Sequence, residues 1–261
     1  MSRITDAFEN LRAAGRGGFI PYITAGDPDL STTRALIVEL ARAGATLVEL
    51  GVPFSDPVAD GPTIQRASER ALRRGVGLED VLKVLSEARR ETDVPVILFS
   101  YFNPLLQFGV ERLAAECARA GVDGVLATDL VPEESADFNA VLRSRGIDQI
   151  FLVAPTTTDA RLKMIASLAD GFIYAVSRAG VTGARADLSG EAARLVGRVR
   201  GVTGLPVAVG FGISTAEQVA AVWRYADAAV VGSAIVAEIE KREGSQDLVA
   251  RVGEFARSLL P

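Results

Sequence analysis

Eight short apolar, β-branched runs alternate with stretches of helical apolar spacing, at about 33 residues per pair, and no linker or low-complexity tract divides the chain. Together these predict an α/β fold: a single-domain (β/α)8 barrel of the TIM-barrel kind over residues 1–261, with an extra helix at the N-terminus. The strand-like runs are Gly18–Thr24, Thr46–Leu50, Val94–Ser100, Gly124–Thr128, Gln149–Val153, Gly171–Val176, Pro206–Val209 and Ala228–Val231. They are almost wholly apolar, as strands covered on both faces are. Helical spacing marks Thr32–Ala43, Leu78–Arg90, Glu133–Arg145, Asp159–Leu168 and Thr215–Trp223, and the charged, amphipathic stretch Met1–Gly15 supplies the extra helix. A doubly wound open sheet is the alternative. It would place a Gly-x-Gly-x-x-Gly turn after the first strand, where this chain has Thr24-Ala25-Gly26-Asp27-Pro28.

Composition narrows the chemistry. Hydrophobic residues at 49% and charged residues at 23% belong to a globular rather than a disordered chain. A net charge of −5 argues against non-specific nucleic-acid binding. No apolar run reaches the ~18 residues of a membrane span, and the N-terminus has no secretory core, so a cytoplasmic protein is expected. A single cysteine, Cys117, excludes an internal disulfide; in the helical stretch Glu111–Ala120 it reads as a core thiol. With no histidine in the chain, Ser-His-Asp and Cys-His triads and His-Glu-x-x-His zinc sites are excluded, and no metal is expected. The lysines are Lys83, Lys163 and Lys241, all in charged helical stretches. Catalysis therefore falls to carboxylates, tyrosines, hydroxyls and backbone amides.

In a barrel the active site lies at the C-terminal ends of the strands. Glu49 stands inside the second apolar run, where an anion is expensive to bury and burial raises a carboxyl towards the proton-transfer range. The other reading of Glu49 is a core glutamate paired with an arginine. Asp60 ends the ten-residue loop Gly51–Asp60, which holds Pro53 and Pro57 and is long for a barrel, as a mobile lid is. It is either a hydrogen-bond acceptor or second acid-base group, or the N-cap of a helix starting near Pro62; Asp56 is ambiguous in the same way. Gly210, Gly212, Gly232 and Ser233 follow the seventh and eighth strands, where barrels bind phosphate through backbone N–H groups and a helix N-terminus; Gly183 sits in a glycine-rich loop after the sixth. The alternative is ordinary tight turns. Tyr174 ends the sixth strand and is either a group at the barrel mouth or a core aromatic, and Trp223 reads as packing.

The stretch from Val48-Glu49-Leu50-Gly51 through Phe54-Ser55-Asp56 to Asp60-Gly61-Pro62-Thr63-Ile64-Gln65 resembles the signature of the tryptophan synthase α subunit family. So do Pro21-Tyr22-Ile23-Thr24-Ala25-Gly26-Asp27-Pro28, Tyr101-Phe102-Asn103-Pro104, Ser177-Arg178-Ala179-Gly180-Val181-Thr182-Gly183 and Gly210-Phe211-Gly212-Ile213-Ser214. The resemblance runs in order over essentially the whole chain. It implies a lyase that cleaves indole-3-glycerol phosphate to indole and glyceraldehyde 3-phosphate, with Glu49 as general acid-base group, Asp60 facing the indole N–H, and Tyr174 in the active site. It also implies substrate binding by Tyr22, Thr182, Gly183, Phe211, Gly212, Gly232 and Ser233, and closure of the loops after strands 2 and 6. The implied partner is a β subunit in an α2β2 heterotetramer, docking near Phe54–Asp56 and Asn103–Phe108. No cofactor is implied for this chain, pyridoxal phosphate being expected only in the β subunit. One departure lies near that interface: the family often has a proline where Val131 stands, and here the proline is Pro132. A free-standing lyase and a mainly regulatory, phosphate-ligand-binding subunit are the competing readings.

Overall fold

The computed structural model describes residues 2–176, 188–210 and 212–261, with backbone alone at 188 and 189. Its eight strands are β1 (Gly18–Thr24), β2 (Val48–Gly51), β3 (Val96–Ser100), β4 (Gly124–Ala127), β5 (Asp148–Val153), β6 (Ile173–Val176), β7 (Val207–Gly210) and β8 (Ala228–Val231). All pair in parallel with their sequence neighbours, and β8 pairs with β1, so the sheet closes. The open-sheet alternative is thereby overturned.

Outside the barrel lie α2 (Leu30–Arg42), α3 (Pro62–Arg73), α4 (Leu78–Ala88), α5 (Phe102–Phe108), α6 (Val110–Ala120), α7 (Ala136–Arg143), α8 (Asp159–Leu168), α9 (Leu188–Arg200), α10 (Ala216–Trp223), α11 (Ser233–Lys241) and α12 (Leu248–Ser258). Several start where the sequence supplies a cap. Asp29, Thr158 and Thr215 accept the N–H of Thr32, Arg161 and Gln218 at 2.7, 3.3 and 3.3 Å. The helical pattern Glu133–Arg145 divides into a 3-10 turn at Pro132–Glu134 and α7. The buried Ser135 hydroxyl donates to the Pro132 carbonyl at 3.0 Å, drawing that turn tight before the helix proper begins. The pattern gave no sign of α5; it tolerates Pro104 because the first turn needs no N–H there.

Strand parity decides what faces where. Val48, Leu50, Val96, Leu98, Ile173 and Ala175 belong to the cluster shared with the helices, whereas Ile97, Leu126, Ile150, Phe172, Tyr174 and Ala208 form the barrel interior. Alternation is thus present although both faces are apolar.

Helix α1 (Arg3–Ala14) closes the N-terminal end of the barrel. Ser2 caps it and donates to Asp148 at 2.6 Å, and Arg3 pairs with Asp123 at 2.6 Å, so the helix is tied to the starts of β5 and β4. Ile4 and Phe8 enter the interior cluster, the Phe8 ring lying 5.6 Å from that of Phe172. Cys117 is a buried free thiol on α6, pushed up to about 12 by burial. Trp223 packs against the loop at Gly17 and donates its indole N–H to Gly18 at 2.8 Å. No described helix is long and apolar enough to cross a membrane.

Candidate active site

The strands converge on a cavity of about 150 Å³ lined by Tyr22, Glu49, Ala59, Asp60, Gly61, Ile64, Phe99, Tyr174, Gly212, Val230, Gly232 and Ser233. Seven of the residues marked in the sequence, Glu49, Asp60, Tyr174, Tyr22, Gly212, Gly232 and Ser233, meet here from widely separated strand ends. Thr182, Gly183 and Phe211, and the loop at 178–187, lie outside the described residues.

Glu49 enters the cavity because it has the interior parity of β2, between Val48 and Leu50, which face the helices. It stands in register with Tyr22 of β1 and Ile97 of β3. Its side chain is 1% exposed, and Oε1 has no hydrogen-bond partner. Among the described residues no arginine or lysine pairs with it, so the structural reading of a salt-bridged core glutamate finds no support. Burial alone holds its carboxyl well above the usual carboxylate range.

Asp60 is half-buried at the end of the loop. It does not cap α3: the N-cap is Gly61, Pro62 occupies the first helical position, and no side chain accepts from the first turn. Gln65 instead holds the backbone, its amide donating to the Asp60 carbonyl at 2.9 Å. Burial pushes the Asp60 carboxyl up to about 6, opposed by a hydrogen bond from the Tyr101 hydroxyl. The cavity thus holds two carboxyls in unlike surroundings, Glu49 fully buried with an unpartnered Oε1 and Asp60 half-buried at the rim, the arrangement that separates acid and base roles.

Two phenols face them. Tyr22 and Tyr174 are buried, and burial together with the neighbouring carboxylates raises both, so they remain hydroxyl donors. Each needs a glycine on the next strand. A Cβ on Gly51 would stand 2.0 Å from the Tyr22 hydroxyl, and one on Gly210 would stand 2.1 Å from that of Tyr174. Tyr174 is therefore both of the things the sequence allowed, an interior aromatic and a lining residue. The opposite wall is apolar and suits a flat ring: Phe99 meets Tyr22 edge-on at 5.5 Å, and Ile64 and Val230 complete it.

Gly232 and Ser233 form the first turn of α11, which begins directly after β8 with no side-chain cap. This helix start has no side-chain cap competing for its N–H groups, and Gly232 and Ser233 line the cavity, as an anion site requires. Asp56 and Asn103 are exposed, and Phe54 and Phe108 are half-buried. Phe54 packs on Tyr101 at 5.1 Å, and Phe108 lies under Arg112 at 4.2 Å. These four do not join the cavity; they lie on the loop after β2 and on α5. Val58 and Leu106 share those elements and, with Val131 after β4, are large exposed apolar residues, 87%, 50% and 38% exposed.

Sequence reasoning missed Phe99 and Ile64 as lining residues, and Tyr101, whose hydroxyl accepts the N–H of the lining residue Ala59, as their neighbour. The interior parity of β3 was a usable signal for Phe99, and the position of Tyr101 directly after β3 one for Tyr101.

Lys83, Lys163 and Lys241 lie on α4, α8 and α11 rather than at strand ends. Among the described residues no group of three or more Cys, Asp or Glu is arranged to hold a metal.

Residues 8–260 match the family profile described as tryptophan synthase alpha chain. The chain is 50% identical over 259 residues to the tryptophan synthase alpha chain of Geobacter sp. (strain M21), covering 99% of this chain and 97% of that one. It is 52% identical over 242 residues to that of Dechloromonas aromatica (strain RCB), covering 92% and 90%. The crystal structure of tryptophan synthase subunit alpha from Legionella pneumophila str. Paris superposes with a TM-score of 0.92 at 39% identity, covering 99% of this chain and 97% of that chain.

Proposed function

This chain belongs to the tryptophan synthase alpha chain family, lyase subunits that cleave indole-3-glycerol phosphate in tryptophan biosynthesis, and on that premise we propose that Glu49 and Asp60 carry the reverse aldol step. Glu49 protonates C3 of the indole ring and assists removal of the proton from the adjacent glycerol hydroxyl. The O–H electrons become the aldehyde C=O of glyceraldehyde 3-phosphate. The C3–glycerol bond breaks, and its electrons return to the ring to give indole. Asp60 accepts a hydrogen bond from the ring N1–H and stabilises the positive charge that C3 protonation creates there. Tyr22 and Tyr174 orient the glycerol part. Gly212, Gly232 and Ser233 hold the phosphate through backbone N–H groups, with Thr182, Gly183 and Phe211 assigned to the same end of the substrate by family resemblance.

The observation that carries this reading is the buried Glu49 carboxyl with an unpartnered Oε1, lining one cavity together with the half-buried Asp60. Such acid-base steps contribute about 10²–10⁴ in rate.

We read the chain as one barrel domain over 1–261, cytoplasmic, and the α half of an α2β2 complex. Support for the partner comes from the exposed Val58 and Leu106, on the elements that carry Phe54, Asp56, Asn103 and Phe108, and from the exposed Val131 after β4. We assign no cofactor to this chain; pyridoxal phosphate belongs to the β subunit in this reading. The test is indole release from indole-3-glycerol phosphate with and without an added tryptophan synthase β subunit. Slow cleavage that rises sharply with β subunit is expected. Fast cleavage alone would identify a free-standing lyase, and ligand binding without turnover in both conditions a regulatory subunit.

A further inference from the structure

Two helices far apart in the chain carry the two ends of the cavity. Only Gly61 separates Asp60 from the first residue of α3, and Gln65 in the first turn of that helix donates to the Asp60 carbonyl at 2.9 Å. Helix α11 begins at Ser233 with Gly232 as its N-cap. The two helices pack on each other and each on β1, through a small buried cluster of Tyr22, Ala67 and Val236. Apolar contact of this kind is non-directional and by itself lets two helices slide.

Ion pairs supply the direction. Arg70 of α3 donates to both oxygens of Asp27, just beyond β1, at 2.7 and 3.0 Å, and its third nitrogen donates to Glu240 of α11 at 2.7 Å. Arg66, one turn earlier on α3, grips both oxygens of the same Glu240 carboxylate at 2.7 Å each. One guanidinium thus joins β1, α3 and α11. Its side chain is 14% exposed and that of Asp27 1%, so salt screens the contact little. Isolated surface pairs contribute little, but forked arginine–carboxylate pairs in a network fix geometry. At a rise of about 1.5 Å per residue the network lies roughly 10–12 Å along each helix from its start, close enough to hold both starts in place.

We propose that Arg70 and Glu240 are positioning residues for the substrate, a clamp that sets the distance between the ring-binding end at Asp60 and the phosphate-binding end at Gly232 and Ser233. The inference rests on the function proposed above and adds what fixes the span of its site. A clamp of this kind acts on a ligand that touches both ends at once and leaves a ligand held at one end alone.

Three probes separate these cases by calorimetric titration of the full chain: indole, glycerol 3-phosphate, and indole-3-propanol phosphate, which joins the two groups by an unreactive linker. Glu240→Gln leaves the Asp27–Arg70 pair in place. In this variant the two single-ended probes bind within about twofold of the unaltered chain and the joined probe weakens about tenfold, because a linked ligand gains only where its length matches the span. In the complex with β subunit, kcat/KM for indole release falls about tenfold or more, as misplacement far from the chemistry does. Arg70→Lys keeps a cation for Asp27 but loses the fork, and it gives the same split between probes. A merely structural role does not separate the joined probe from its halves. Equal losses for all three probes, or joined-probe binding unchanged in both variants, overturns the proposal. If the unaltered chain itself binds the joined probe no better than its halves and releases no indole with β subunit, the proposed function fails and the clamp with it; tight joined-probe binding that both variants retain fails the clamp alone.

Discussion

Replacing Glu49 by Gln separates what this carboxyl does for the reaction from what it does to the fold. In the unfolded chain it titrates near 4.5, and in the folded chain well above that, because burial disfavours the anion. Between those two values the folded chain holds a proton that the unfolded chain has released. This group's contribution to stability is therefore complete below pH 4.5 and is lost progressively as pH rises towards the folded value. Each pH unit inside that window costs about 1.4 kcal/mol, so the roughly 2.5 units from 4.5 to neutral pH bound the loss at about 3.5 kcal/mol. Glutamine does not titrate. The stability difference between Glu49→Gln and the unaltered chain should therefore move in the variant's favour as pH rises, whatever constant offset the new amide introduces. Urea unfolding of both chains from about pH 5 to about pH 8 reads this directly. Indole release should meanwhile fall about 10²–10⁴-fold with phosphate-ligand binding retained. A stability difference that stays flat across the range would refute the argument that Glu49 is a desolvated, unpartnered acid, and near-normal turnover would refute its role in the reaction.

Three further perturbations test the frame around the site. Asp27, 1% exposed at the end of β1, is held by the Arg70 guanidinium at 2.7 and 3.0 Å, so Arg70→Met strands a buried carboxylate and should cost about 3–5 kcal/mol in urea unfolding near neutral pH. Gly51→Ala drives a methyl into the Tyr22 hydroxyl and should cost about 1–3 kcal/mol, with Tyr22→Leu in the same chain recovering part of it. Phe8→Ala empties the plug at the far end of the barrel and should lower stability by about 3–5 kcal/mol while leaving KM for indole-3-glycerol phosphate unchanged, a melting curve and a saturation curve being the two measurements.

The eight strands were legible because the strand-like runs are short and β-branched and recur at one spacing; the strand limits shift by only a few residues. Glu49 was legible because a charge inside such a run has few explanations. Asp60 stayed divided between a cap and a catalytic carboxylate, since only backbone geometry shows that Gly61 takes the capping position. Which face of an all-apolar strand points inward is invisible until the barrel closes, which is why Phe99 went unmarked although its parity matches that of Glu49 across the register. Tyr101 was hidden for a different reason. Its hydroxyl meets a loop 42 residues earlier, and no local pattern encodes that meeting. The break at Ser135 was hidden likewise, because a tight turn and a helix carry the same apolar spacing.

Helix α1 makes the barrel a vessel with one mouth. Ile4 and Phe8 stop the end opposite the cavity, so a molecule freed inside leaves across the same rim that admitted its precursor. Val58, Leu106 and Val131 are exposed on elements of that rim. Under the proposed function a partner seated there would lie across the one opening of the cavity. The side on which the barrel opens is thus set by two side chains at the end opposite the cavity.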